Sequence, residues 1–211
     1  MSYVAKIKKL LATEDEHSIN TAILLLQSLE EASMAEVFKP LSYVEETIFP
    51  PKAFRKHASV YVDLLARYSK FDKEIADFCT SITKISMAKF GADSDLTPFV
   101  NLKKLMLYRV EEGADLTVLS RMKTLEELEL VRVLEEDLQF LKGLQNLRSL
   151  TITSWPKLSN VDVLHNHPSL VSLRIVACPQ LHGSTVFESI PNLKTLQVFG
   201  SPNAKIPTSF C

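Results

Sequence analysis

Leu102-Lys103-Lys104-Leu105-Met106-Leu107 is followed 23 residues later by Leu125-Glu126-Glu127-Leu128-Glu129-Leu130, the same apolar-x-x-apolar-x-apolar spacing. It returns at Leu147/Leu150/Ile152, Leu170/Leu173/Ile175 and Leu193/Leu196/Val198, in steps of 22, 23 and 23 residues. An earlier copy, Ile82/Ile85/Met87, stands 20 residues ahead of Leu102. Self-similarity at such a period marks a solenoid, because one unit cannot bury its apolar side alone and stacked units can.

Other columns keep the same register. Six residues before each first leucine stand Leu96, Leu119, Leu141, Leu164 and Phe187; three before stand Phe99, Met122, Leu144, His167 and Ile190. Nine before stand Asp93, Leu116, Leu138, Val161 and Ser184. Spacing by threes suits a short helix or 3₁₀ segment with one inward side, and Asp115, Asp137 and Asn160 are N-cap types just ahead of it. Pro156, Pro179 and Pro202 are again 23 apart and are expected to end each strand, since proline cannot donate to a ladder. Each unit thus reads as one short strand, a turn and a return segment. Parallel strands roughly 4.8 Å apart make a sheet whose exposed face is expected to be concave.

These motifs resemble the leucine-rich-repeat family over about 82–201. The resemblance implies an α/β solenoid of about six repeats with a parallel sheet, and a surface for binding another protein. One position departs from the family pattern. Where Asn or Cys usually bonds the turn backbone, this chain has Val110, Val133, Trp155, Cys178 and Ser201; only Cys178 matches, so the turns must be satisfied differently.

Residues 1–80 do not repeat and are expected to form an α-helical capping segment for the repeat domain of 81–211. Helices are expected over Ser2 to Ala12, from the Thr13/Glu16 capping-box spacing to about Leu29, from Lys52 to Arg67, and from Lys73 to Cys79, with Pro50-Pro51 as a break. The stretch from Thr13 to Asn20 resembles helical leaders of some bacterial leucine-rich-repeat proteins, and nothing resembles an F-box.

The chain has 211 residues, 46% hydrophobic and 23% charged, with a formal net charge of −1. That balance offers no attraction to nucleic acid or an anionic membrane. Lys6, Lys8 and Lys9 interrupt any signal-peptide core, and the longest apolar run, Ala22 to Leu26, is too short to cross a bilayer. Three sparse cysteines, Cys79, Cys178 and Cys211, do not make a disulfide framework and suit a reducing compartment, so a cytoplasmic protein is expected.

No phosphate loop, dinucleotide fingerprint, His-Glu-x-x-His or Cys-x-x-Cys occurs, so no catalytic residue and no cofactor is expected. His165, His167 and His182 lack the ligand set of a metal site, and His167 falls in a leucine slot. Cys178 is expected to be a buried and inert group, Cys79 to pack at the helix-repeat junction, and Glu126-Glu127 and Glu135-Glu136-Asp137 to be solvated charge runs.

Outward strand positions give the sharper reading. Lys89, Arg109 and Arg132 stack as like charges, whose repulsion an acidic partner would relieve, and Tyr108 and Phe199 are outward aromatics. The expected partner-binding set is Lys104, Met106, Tyr108, Arg109, Glu129, Arg132, Arg174 and Phe199. The expected function is a non-catalytic protein-interaction module for a protein partner with an acidic patch. The alternative is a homodimer through an open C-terminal edge strand around Thr195 to Gly200.

Overall fold

The computed structural model describes residues 2–13, 15–28, 37, 58–134, 138–183 and 185–210. Helices α1 (Tyr3–Ala12), α2 (Glu16–Ser28), α3 (Ala58–Tyr68) and α4 (Lys73–Ser81) precede a sheet of β1 (Lys84–Met87), β2 (Lys104–Leu107), β3 (Glu127–Val131), β4 (Ser149–Thr153), β5 (Ser172–Val176) and β6 (Thr195–Phe199). The strands lie in sequence order, β1 to β6, all parallel. Return segments are 3₁₀ turns at Leu116–Arg121, Gln139–Gly143 and Asp162–Leu164, and one α-turn, α5 (Thr185–Glu188).

Every strand pairs with the next at the offset of the sequence repeat. Ile85, Leu105, Leu128, Leu150, Leu173 and Leu196 therefore form one transverse row. Ile85 to Leu173 in that row are 0–2% exposed. The row from Leu96 through Leu119, Leu141 and Leu164 to Phe187 is as deeply buried, at 0–1%. Each such side chain contributes about 1.5–3 kcal/mol by leaving water, which explains why a strand of four or five residues persists once its neighbours are in place.

The two rims of the sheet differ. At the leading rim, where the chain enters each strand, the residue before the first leucine is Asn101, Thr124, Asn146, Ser169 or Asn192. Asn101 donates to the Thr80 carbonyl (2.8 Å), Thr124 to Val100 and Leu102 (3.0 and 2.8 Å), Asn146 to Lys123 (2.7 Å) and Asn192 to Pro168 (2.6 Å). Thr124, Asn146 and Asn192 thus tie their coils to the one before, and Asn101 ties its coil to α4.

At the trailing rim, where the chain leaves the strand, Phe90, Val110, Val133, Trp155 and Cys178 form a fully buried column. This is the position where the sequence lacks the expected Asn. Parallel backbone bridges join Phe90, Val110 and Val133, and the Cys178 N–H donates to Ser201 Oγ (3.2 Å). The turns are thus held by main chain and apolar packing.

Proline is not what stops the strands. Arg132, Ser154, Ala177 and Gly200 follow the strand ends at φ of 55°, 56°, 56° and 62°. The chain turns there, two residues before Pro156, Pro179 and Pro202, and it turns the same way at Arg132, where Leu134 replaces the proline.

Of the N-terminal helices, α3 reaches the first coil. α3 packs on α4 and on β1. Tyr68 Oη donates to the Leu26 carbonyl (3.0 Å), and the Lys89 N–H donates to Ser59 Oγ (3.0 Å). One apolar core runs from Ile7 and Leu65 through the repeat leucines to Ile190.

One local expectation needs correction. The Thr13/Glu16 capping box does not form: the Thr13 hydroxyl donates back to Leu10 (2.7 Å), and Asp15 accepts from the Ser18 N–H (2.9 Å) at the start of α2. Asp15 wins because its carboxylate is ionised, and the bond holds its pKa below the usual range. In the first coil, three residues shorter than most others, Asp95 takes the place of Asp115 and accepts from the Thr97 N–H (2.9 Å). The expectations on Pro50-Pro51, on the start of the third helix, on Glu135-Glu136-Asp137 and on Cys211 lie outside the described residues.

Candidate functional site

Strand alternation turns the residues between the buried leucines to the outward face. The register lines up Lys84, Lys104, Glu127, Ser149, Ser172 and Thr195 in one column. Ser86, Met106, Glu129, Thr151, Arg174 and Gln197 line up in the next. None of these side chains is buried.

The predicted residues do not form a single cluster. Lys104, Met106, Tyr108 and Arg109 come from β2 and its exit, and Glu129 and Arg132 from β3 and its exit, so these six are neighbours. Arg174 lies two strands further on, in β5, separated from Glu129 by Thr151. Phe199 ends β6, paired with Val176, and is 55% exposed.

The charges are partly answered within the chain. Lys104 Nζ is 2.6 Å from Glu127 Oε2 across the strands. Lys89 Nζ is 2.9 Å from Glu111 Oε2, and Arg109 Nε is 4.0 Å from Glu111 Oε1. The repulsion expected of the Lys89-Arg109-Arg132 stack is therefore offset by Glu111, a residue from the turn that sequence reasoning passed over because it lies outside the strand columns. Arg132 is exposed and makes no ion pair among the described residues.

Of the remaining candidates for chemistry, Cys79, Cys178 and His167 lie inside. Burial pushes the Cys79 thiol up to about 12 and raises that of Cys178 as well, which keeps both protonated and unreactive. His167 fills a leucine slot; Nε2 donates to the Leu144 carbonyl (3.2 Å), and burial holds its pKa below the ordinary value. His165 is exposed, and His182 Nδ1 lies 3.0 Å from the Gln180 carbonyl. Among the described residues no three His, Cys, Asp or Glu side chains group as metal ligands. Burial raises Asp63, between α3 and the first coil, to about 6 against the hydrogen bond from Ser94. No helix of the described residues is long and apolar enough to cross a membrane.

No protein-family model matches the chain, and no curated protein matches it. Among solved structures, an internalin from Listeria monocytogenes is similar at 18% identity and a TM-score of 0.48, over 69% of this chain and 45% of that one. The leucine-rich-repeat domain of the type III effector XopL is similar at 18% identity and a TM-score of 0.45, over 67% of this chain and 48% of that one. An internalin C2 from L. monocytogenes gives 17% identity and a TM-score of 0.36, over 72% and 87%. The match spans less than half of the first two proteins. Likeness at this level bears on neither kinship nor function, and the architecture rests on the chain's own registers. By its six-fold sequence repeat and its six in-register parallel strands, the chain is a leucine-rich-repeat solenoid with N-terminal helices, of which α3 packs on its first coil.

Proposed function

We propose that this chain is a non-catalytic protein-binding module whose partner lies on the outward face of the sheet over β2 and β3. The observation that carries the reading is that β2 and β3, each paired on both sides, present Met106, Tyr108, Glu129 and Arg132 on and just beyond the two strands, with Tyr108 43% exposed. A large aromatic beside cationic and thioether groups on a fixed scaffold supplies anchors with little ordering cost. Residues 1–80 act in this reading as a cap that keeps β1 from pairing with other chains. The buried thiols support the non-catalytic part, since they leave the described cysteines without nucleophilic character. Arg174 and Phe199 would set specificity at the far side of the face. An acidic patch on the partner would meet Arg132, the cation of the exit stack that Glu111 does not answer.

A photo-crosslinking amino acid placed at Met106, compared with one placed at Lys142 on the return side, tests this. The expected outcome is a discrete adduct from position 106 alone, lost on Tyr108→Glu. Identical adducts from both positions would remove the assignment.

A second reading is self-association at β6. Its Leu193, Leu196 and Val198 are only half buried, whereas the same positions in β2 to β5 are fully enclosed. Light scattering across a concentration series decides it: a strict monomer excludes the reading.

A further inference from the structure

The geometry points to a second binding surface, separate from the outward face: a groove along the leading rim that takes an extended acidic peptide. The groove is about 670 Å³ and spans the coils that lead into β2 to β6. Its wall carries the residue that follows the first leucine of each coil: Lys103, Glu126, Arg148, Val171 and Lys194.

That column is held rigidly. Each carbonyl from Lys103 to Val171 accepts two N–H groups of the next coil, at 2.8–3.1 Å. The main chain there is satisfied and leaves no edge for strand addition, so recognition falls to side chains. Asn146 and Asn192 are spent on tying the coils together.

The charges are unequal. Lys103 is 3.8 Å from Glu126, the one acid in the lining, and Lys123 Nζ donates to the Ser120 and Gly143 carbonyls (3.0 Å each). Arg148 and Lys194 are exposed and make no ion pair among the described residues. They flank half-buried Val171 and lie two strands apart, roughly 10 Å by strand spacing. A peptide extended in the polyproline II form advances about 9 Å in three residues and turns every third side chain to the same face. Carboxylates at i and i+3 therefore meet Arg148 and Lys194, while the residues between cross Val171. A nucleic acid fits less well: the lining has no aromatic side chain for a base to stack on, and Glu126 faces the phosphates.

The test is fluorescence anisotropy of the full chain with a fluorescein-labelled Glu-Ser-Ser-Glu-Ser-Ser-Glu peptide. Saturable binding is expected, weakened at least about tenfold by R148E/K194E and left unchanged by K142E/K205E, two exposed lysines outside the groove lining. Circular dichroism melts confirm that the variants fold; R148Q/K194Q gives the same comparison, with a smaller loss, if the double reversal melts early. Binding that survives both leading-rim variants overturns the proposal. So does equal binding of a single-stranded oligothymidylate of the same charge, which would make the groove a general polyanion site. Because the crosslinking test reads the outward face, either surface can fail without the other.

Discussion

The leading and trailing rims border the same sheet, yet they hold it by different means. The leading rim spends polar side chains: Thr124, Asn146 and Asn192 each reach back to a carbonyl of the preceding coil, and Asn101 to one at the end of α4. The trailing rim spends apolar volume and backbone conformation: a buried column from Phe90 to Cys178, and a left-handed residue after each of β3 to β6. Large side chains line the interior at one rim and small polar ones cross the surface at the other. The leading rim is consequently the one left with an open groove and unanswered cations, whereas Glu111 already closes part of the trailing one.

The sharpest break in this comparison is at Trp155, the largest fully buried side chain of the described residues. Trp155→Ala is expected to cost about 3–5 kcal/mol, because the coils on either side cannot collapse into the space without losing their register. Urea unfolding measures it; a cost near that of a surface change would mean the trailing column does not carry the coil stacking. At the leading rim Asn146→Ala should cost only about 1 kcal/mol, the net worth of one side chain to main chain bond that water partly replaces. A loss there as large as at Trp155 would reverse the division of labour between the rims. The smallest expected effect has the opposite sign. Ala177 is exposed at φ 56°, so Ala177→Gly should stabilise by about 0.5–1 kcal/mol, as relief of the left-handed strain exceeds the added chain entropy. The same urea titration checks it, and a destabilised glycine variant would show that the turn is not strained.

Much of this was legible in the sequence. The step of 22 or 23 residues sets the strand register directly, since in-register stacking is the one arrangement that buries every leucine of the pattern. Outward columns followed from alternation alone. The leading-rim column is equally periodic, at the first variable position of each Leu-x-x-Leu, but that position belongs to no strand alternation and carries no sign of a groove. Glu111 was hidden for a related reason: it lies in a turn, and its pairing with Lys89 spans two coils. Proline signals a strand stop openly in sequence, whereas a left-handed Arg132, Ser154 or Ala177 looks like any other residue.

By itself, then, the sequence determined the repeat length, the interior leucine rows, the helical character of the N-terminal segment and the makeup of the outward face. Each depends on periodicity or local propensity, which a single chain displays openly. Only the tertiary structure decided which charges are neutralised, which turn residues take the left-handed conformation, how the missing turn asparagines are replaced, and where a groove opens. Those outcomes depend on atoms from different coils meeting within a few ångströms, and stacking, not local pattern, sets those distances.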